Sequence, residues 1–206
     1  MAREILKCTG DAIARCASVI RSGGVVVFPT DTVYGMGCDP YNDQAVERIF
    51  AIKGRAENKP LPILIHSTED AEKLASLGHV GIILARKFWP GALTIVAPIT
   101  DKKISHRVTL GREGVALRVP SNKCVLSLLE YCKYLVGTSA NRSGERSFKS
   151  AQEVIDSSLH GYDALLDGGS VEKGVESTII EITGRPKVLR EGAIKATEVM
   201  DIIGRV

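Results

Sequence analysis

Three basic side chains, Lys53, Arg55 and Lys59, fall close together in AIKGRAENKPLPILIHS, residues 51–67. Cations so spaced are either a solvated loop or a receptor for anionic groups such as phosphates. The flanks favour placement. Val46, Ile49 and Phe50 recur at helical spacing before them, Gly54 can close that helix in a left-handed conformation, and Ile63, Leu64 and Ile65 read as a short buried strand after them. Three further segments carry groups that could do chemistry. PTDTVYGMG, 29–37, leaves an apolar strand as a loop with hydroxyls at Thr30 and Thr32. ALRVPS sets Arg118 inside an apolar strand, where its charge must pair with a structural carboxylate or with a ligand's anion. GTSANRSGERS, 137–147, offers Ser139, Asn141, Ser143 and Ser147, neutral hydrogen-bonding groups suited to phosphate or ribose oxygens, or a plain surface loop. Ser177 in ESTII and Arg190 in VLREG are similar in kind.

No Ser-His-Asp or Cys-His pairing, carboxylate dyad or metal-ligand spacing accompanies them, and neither a P-loop GxxxxGK[ST] nor a GxGxxG is present. Cations, hydroxyls and an amide without a protein nucleophile suit a reaction whose difficulty is charge and alignment, such as attack at phosphorus.

The elements that must position these groups alternate along the chain. Helices are expected over 11–22, 42–53, from Ser67 or Thr68 onward, 122–132, 151–159 and 196–203. Strands are expected at GVVVF, PILIH, ALTIVAP, VALRV, YLVGTS, DALLDGG, ESTIIEI and KVLREG. The fold class is therefore α/β, a twisted mixed sheet with flanking helices, hairpin-like toward the C-terminus, in one domain over 1–206. With 27 basic against 24 acidic residues the net charge is +3, short of the excess that proteins living on nucleic acid through phosphate contacts usually show. No apolar run approaches the roughly 20 residues of a membrane span, which points to a cytoplasmic protein. The five cysteines are odd in number and form no CxxC. Cys8 with Cys16 and Cys124 with Cys132, each eight apart, read as small buried hydrophobes on helices in a reducing compartment, with no disulfide framework.

PTDTVYGMG, KGRAENKPLPILIH, ALRVPS, GTSANRSGERS, GVESTII and VLREG occur in the order and spacing of the YrdC-type threonylcarbamoyl-AMP synthases, and the resemblance covers nearly the whole chain. It implies a YrdC/RibB-like sheet around a deep basic cavity, and an L-threonylcarbamoyladenylate synthase, a nucleotidyltransferase. This enzyme would make threonylcarbamoyl-AMP and pyrophosphate from L-threonine, bicarbonate and ATP, with Mg²⁺ accompanying ATP. Its product would pass to tRNA threonylcarbamoyl transferase proteins. Carried over by position, Lys53 and Arg55 match the KxR pair and meet phosphates with Lys59. Thr32, His66, Arg118, Ser139 and Ser177 fall on the threonine side, and Asn58, Asn141, Ser147 and Arg190 on the ATP side. Ala56, Thr138 and Phe148 stand where proline is frequent, and the chain ends soon after VLREG, as in a short form without the C-terminal domain of longer members. Two rivals remain. One is a double-stranded RNA-binding or ribosome-associated protein using the basic concave surface, with residues 102–118, five basic side chains and one acidic, as an RNA-facing loop. The other is an enzyme making unsubstituted carbamoyl-AMP, for which Arg118 would have no carboxylate to hold.

Overall fold

The computed structural model describes residues 3–54 and 59–204. Arg55 and Asn58, and with them Ala56, lie outside the described residues. The strands are β1 (Glu4–Lys7), β2 (Val26–Pro29), β3 (Tyr34–Gly37), β4 (Ile63–Ile65), β5 (Leu93–Pro98), β6 (Gly114–Arg118), β7 (Tyr134–Val136), β8 (Thr138–Ser139), β9 (Ala164–Asp167), β10 (Thr178–Glu181) and β11 (Lys187–Arg190). The helices are α1 (Gly10–Arg21), α2 (Asp43–Lys53), α3 (Thr68–Leu74), α4 (Gly78–Phe88), α5 (His106–Thr109), α6 (Lys123–Cys132), α7 (Ala151–Asp156) and α8 (Ala196–Ile203).

The single sheet expected from the sequence is two: a five-stranded sheet ordered β1-β9-β2-β3-β8 and a six-stranded sheet ordered β11-β10-β5-β6-β4-β7. Both are mixed. The segment YLVGTS explains why one sheet was too few. It starts as β7 beside β4 and continues as β8 beside β3, so it changes sheet at Gly137. A Cβ at Gly137 would lie 2.3 Å from Leu64 Cγ, so the position has no room for a side chain. PTDTVYGMG is likewise only partly a loop. Its second half is β3, paired antiparallel with β2. Glycines at 35 and 37 lower strand propensity in the sequence, yet here they let the backbone pass against the Phe28 ring.

Helix ends follow local chemistry. Asn42 caps α2 by accepting from Ala45 N at 3.0 Å, and Gly54 ends it at φ 55, as its sequence position implies. Ser67 caps α3. Helix α7 stops at Asp156 rather than 159, because Ser157 turns out of the helix and its hydroxyl donates to Val154 O at 2.7 Å. Helices α4 and α5 and strand β1 had no counterpart in the sequence reading. The core has two parts. The larger packs Val27, Met36, Ile49, Ile63, Leu93, Ile95 and Leu117 around the two sheets. The smaller packs Cys16, Ile20, Phe28, Val125, Leu128 and Leu166 where α1 and α6 cover the five-stranded sheet.

The cysteines contradict their sequence reading. Cys8 lies between β1 and α1, not in a helix, and forms a disulfide with Cys124 in the first turn of α6. Spacing along the chain pairs residues on one helix face, whereas tertiary packing of α1 on α6 brings together cysteines 116 positions apart. Cys16, Cys38 and Cys132 are free, and burial raises all three thiols above the usual thiol range, Cys16 to about 12 and Cys132 to about 11. None of the described helices is long and apolar enough to cross a membrane.

Candidate active-site cavity

A cavity of about 640 Å³ opens where the two sheets meet. The five-stranded sheet and its β2–β3 turn supply Thr30, Thr32, Gly35, Thr138 and Ser139 to its wall. The six-stranded sheet and its connections supply Leu64, Val96, Arg118, Ser177, Ile179 and Arg190. Lys53, Lys59, Arg112, Arg118 and Arg190 line it against Glu145, Glu176 and Glu181, so basic side chains outnumber acidic ones there.

Arg118 ends β6 with only 6% of its surface exposed. Its Nε donates to Gly91 O at 2.9 Å, Nη1 to Thr32 Oγ1 at 3.0 Å and Nη2 to Asp31 Oδ1 at 2.6 Å. The sequence left open whether Arg118 pairs with a structural carboxylate or a ligand. The first partner is Asp31. Yet the pairing does not exhaust the group: of five N–H donors three are engaged by these bonds, leaving one on each terminal nitrogen, the number a two-point carboxylate grip takes. Burial pulls the guanidinium below its usual value while the Asp31 charge and hydrogen bond hold it up.

Around it stand hydroxyls. Thr32 Oγ1 also lies 3.0 Å from Thr30 Oγ1, and Ser177 Oγ lies 2.8 Å from Thr94 Oγ1. Arg190 pairs with Glu176 and donates through Nη2 to Ser177 O at 2.8 Å, so its guanidinium holds the turn into β10 as well as lining the cavity.

Lys53, the last residue of α2, is buried at 2% exposure. Its ammonium donates to the carbonyl of Asn141 at 2.8 Å and to that of Ser139, and its own carbonyl accepts from Ser143 N at 2.8 Å. It therefore fastens the 137–147 loop to α2, a contact the sequence did not suggest. Within that loop, Asn141 Nδ2 donates to the carbonyls of Arg142 and Glu145 at 3.0 and 2.8 Å, which fixes the amide's orientation and leaves Oδ1 buried without a partner.

Thr32, Lys53, Lys59, Arg118, Ser139, Asn141, Ser177 and Arg190 thus share one cavity. His66 and Ser147 do not line it. His66 Nε2 is 3.8 Å from Glu130, and Ser147 Oγ is 3.1 Å from Glu176 Oε1, one residue back from the wall. The basic run 102–118 is divided: Arg112 and Arg118 line the cavity, while Lys102 and Lys103 are exposed elsewhere, so it is not one outward-facing strip. Arg112 and Asp31 were missed. Asp31 could have been found as the nearest carboxylate in a hydroxyl-rich loop once Arg118 demanded a counter-charge. Among the described residues no group of three His, Cys, Asp or Glu side chains could hold a metal ion.

Residues 18–192 match the Sua5/YciO/YrdC family model, described as telomere recombination. The threonylcarbamoyl-AMP synthase of Pyrococcus abyssi is 39% identical over 193 residues, covering 92% of this chain and 56% of its own length. That of Bacillus subtilis is 36% identical over 197 residues, covering 94% and 57%. The chain thus spans a little over half the length of these two relatives. The crystal structure of P. abyssi Sua5 complexed with L-threonine superposes with a TM-score of 0.92 at 36% identity, covering all of this chain and 62% of that one.

Proposed function

Because this chain belongs to the Sua5/YciO/YrdC family, we propose that it is an L-threonylcarbamoyladenylate synthase, a nucleotidyltransferase that joins L-threonine, bicarbonate and ATP into threonylcarbamoyl-AMP and pyrophosphate for tRNA modification. The observation that carries the reading is the state of Arg118: a buried, pre-oriented guanidinium with two N–H groups to offer, flanked by Thr32 and Ser177 in a cavity that also holds Lys53, Lys59 and Arg190. A rigid fork of this kind fits an amino-acid carboxylate, which unsubstituted carbamoyl-AMP synthesis would leave unused.

The chemistry follows from what the cavity supplies. Threonine, held by its carboxylate at Arg118, presents its neutral amine to bicarbonate. The new N–C bond gives a carbamate, with water lost. A carbamate oxygen then attacks the α-phosphorus of ATP, and the bond to the pyrophosphate oxygen breaks. No protein nucleophile is required, only alignment and neutralisation of the charge that builds on the leaving group, for which Lys59 and Arg190 on the wall are suited. Among the described residues the carboxylates of the wall do not cluster as a metal cage; Mg²⁺ would accompany ATP as part of the substrate. Asn141 takes a narrower role than phosphate binding. Its Nδ2 is spent on the carbonyls of Arg142 and Glu145 and its Oδ1 is buried, so its side chain shapes the 137–147 loop and offers no donor to a phosphate oxygen.

The test is incubation of the 206-residue chain with ATP, bicarbonate and L-threonine, following pyrophosphate release with each component omitted in turn. Release that depends on all three is expected. Release without threonine would overturn the amino-acid assignment, and its absence with all three present would overturn the reading.

A further inference from the structure

On this reading, which the inference below presupposes, two anions share one cavity: a triphosphate and an amino-acid carboxylate. Something must keep phosphate away from the amino-acid end. The cations of the wall differ in how they are partnered. Arg190 and Glu176 pair at side-chain exposures of 41% and 35%, where water can replace either partner and the pair opens at little cost. Arg118 and Asp31 pair at 7% and 10%, where neither charge can be left alone.

Asp31 is fixed from two sides. Its Oδ1 accepts from Arg118 Nη2 at 2.6 Å and from the backbone N–H of Ser121 at 2.9 Å, while Oδ2 is buried with no partner. Thr30, Thr32 and Arg118 line the cavity and Asp31 does not, so its carboxylate stands behind the guanidinium. Two consequences follow. With Gly91 O and Thr32 Oγ1, Asp31 sets the plane of the fork. It also offsets the Arg118 charge, so that the ligand meets two directed N–H groups and not a surplus cation. A planar carboxylate uses direction; a phosphate dianion is drawn chiefly by uncompensated charge.

We propose that Asp31 is a specificity-determining residue that reserves Arg118 for an α-amino-acid carboxylate and keeps phosphate off that end of the cavity.

The deciding variant is Asp31→Asn, which keeps size and shape and removes the charge. Threonine-dependent adenylate formation is followed by mass spectrometry with and without added inorganic phosphate, beside calorimetric titration of ATP alone. In the wild-type chain, phosphate should not compete with threonine. In the variant the threonine KM should rise about tenfold or more, and phosphate should become an inhibitor competitive with threonine, with ATP affinity changed by less than about twofold. Asp31→Glu, which retains a carboxylate, should restore resistance to phosphate. A purely structural Asp31 would lower thermal stability and weaken both substrates alike without creating phosphate competition. That result, an Asp31→Asn variant indistinguishable from wild type, or failure of both variants to fold overturns the proposal. A wild-type chain with no threonine-dependent turnover overturns the underlying reading, and the proposal with it; loss of the Asp31 effect in an active enzyme overturns the proposal alone.

Discussion

The Lys53 ammonium donates to the backbone carbonyl of Asn141 at 2.8 Å, across 88 positions of sequence. This joins the C-terminal end of α2 to the loop that carries Ser139 and Asn141. A lysine waiting only for phosphate would leave the unliganded protein unchanged when removed. One that satisfies buried carbonyls would not, since each hydrogen bond to a charged donor contributes about 1.5–3 kcal/mol. Lys53→Met should therefore lose about 1–3 kcal/mol of stability in urea unfolding without any ligand, after allowance for the lysine's own desolvation. It should also lose pyrophosphate release. Unchanged unfolding with lost activity would return Lys53 to a ligand-only role.

The disulfide between Cys8 and Cys124 ties the start of α1 to the start of α6, two helices that cover the same face of the five-stranded sheet. Cross-linking so distant a pair restricts the unfolded chain, an effect of about 2–4 kcal/mol for typical disulfides. Protein denatured without reductant should titrate three thiols, those of Cys16, Cys38 and Cys132. Cys8→Ser should lower the unfolding midpoint. Five titratable thiols in the unreduced protein would remove the cross-link from the account.

Much of the fold was legible because its signals are local. Asn42 and Gly54 bracket α2, Ser67 opens α3, and β2, β5, β6 and β10 are apolar runs of strand length. What the sequence hid is tertiary. Strand β3 is half glycine because it packs against an aromatic ring, and residues 134–139 divide between sheets at a glycine that looks like an ordinary turn. The site follows the same pattern. The cavity gathers residues from both sheets as their types suggested, but the partners that define their roles were not legible. Asp31 meets Arg118 across 87 positions, and carbonyls 86 and 88 positions away occupy Lys53.

Alkaline pH should weaken the fold through the buried thiols. Burial raises Cys16 to about 12 and Cys132 to about 11, and Cys38 upward as well, from the ordinary thiol value of 9.0. In the unfolded chain these groups lose their protons near 9, while the folded protein keeps them. The unfolded state then binds fewer protons, so stability is fully present below that pH and falls as pH rises toward 11 to 12. Unfolding midpoints measured across this window should decline, and Cys16→Ala should decline less steeply than wild type. Equal slopes would place the alkaline loss in other groups.

The cavity is built on the seam between the two sheets. Gly37 ends β3, and a Cβ there would lie 1.9 Å from the carbonyl oxygen of Val136 in β7, with the Phe28 ring 3.0 Å away on another side. Next to it, Val136 N donates to Cys38 O at 2.9 Å, one of the backbone bonds joining the five-stranded sheet to the six-stranded one. A methyl group at Gly37 cannot be accommodated by turning a side chain, because the obstructing atom is backbone, so the two sheets must separate locally. Forcing atoms into a packed interior costs about 1–3 kcal/mol, occasionally more. The same displacement acts on function, since Thr32 and Ser139 lie on one sheet's side of the cavity and Arg118 on the other's, and Arg118 reaches Thr32 across the seam at 3.0 Å. Gly37→Ala should therefore lower the urea midpoint and raise the threonine KM together. Gly184→Ala, where an added Cβ meets nothing within 4 Å, should change neither. A Gly37→Ala protein that loses stability but keeps its threonine KM would mean that the amino-acid end does not depend on the distance between the sheets.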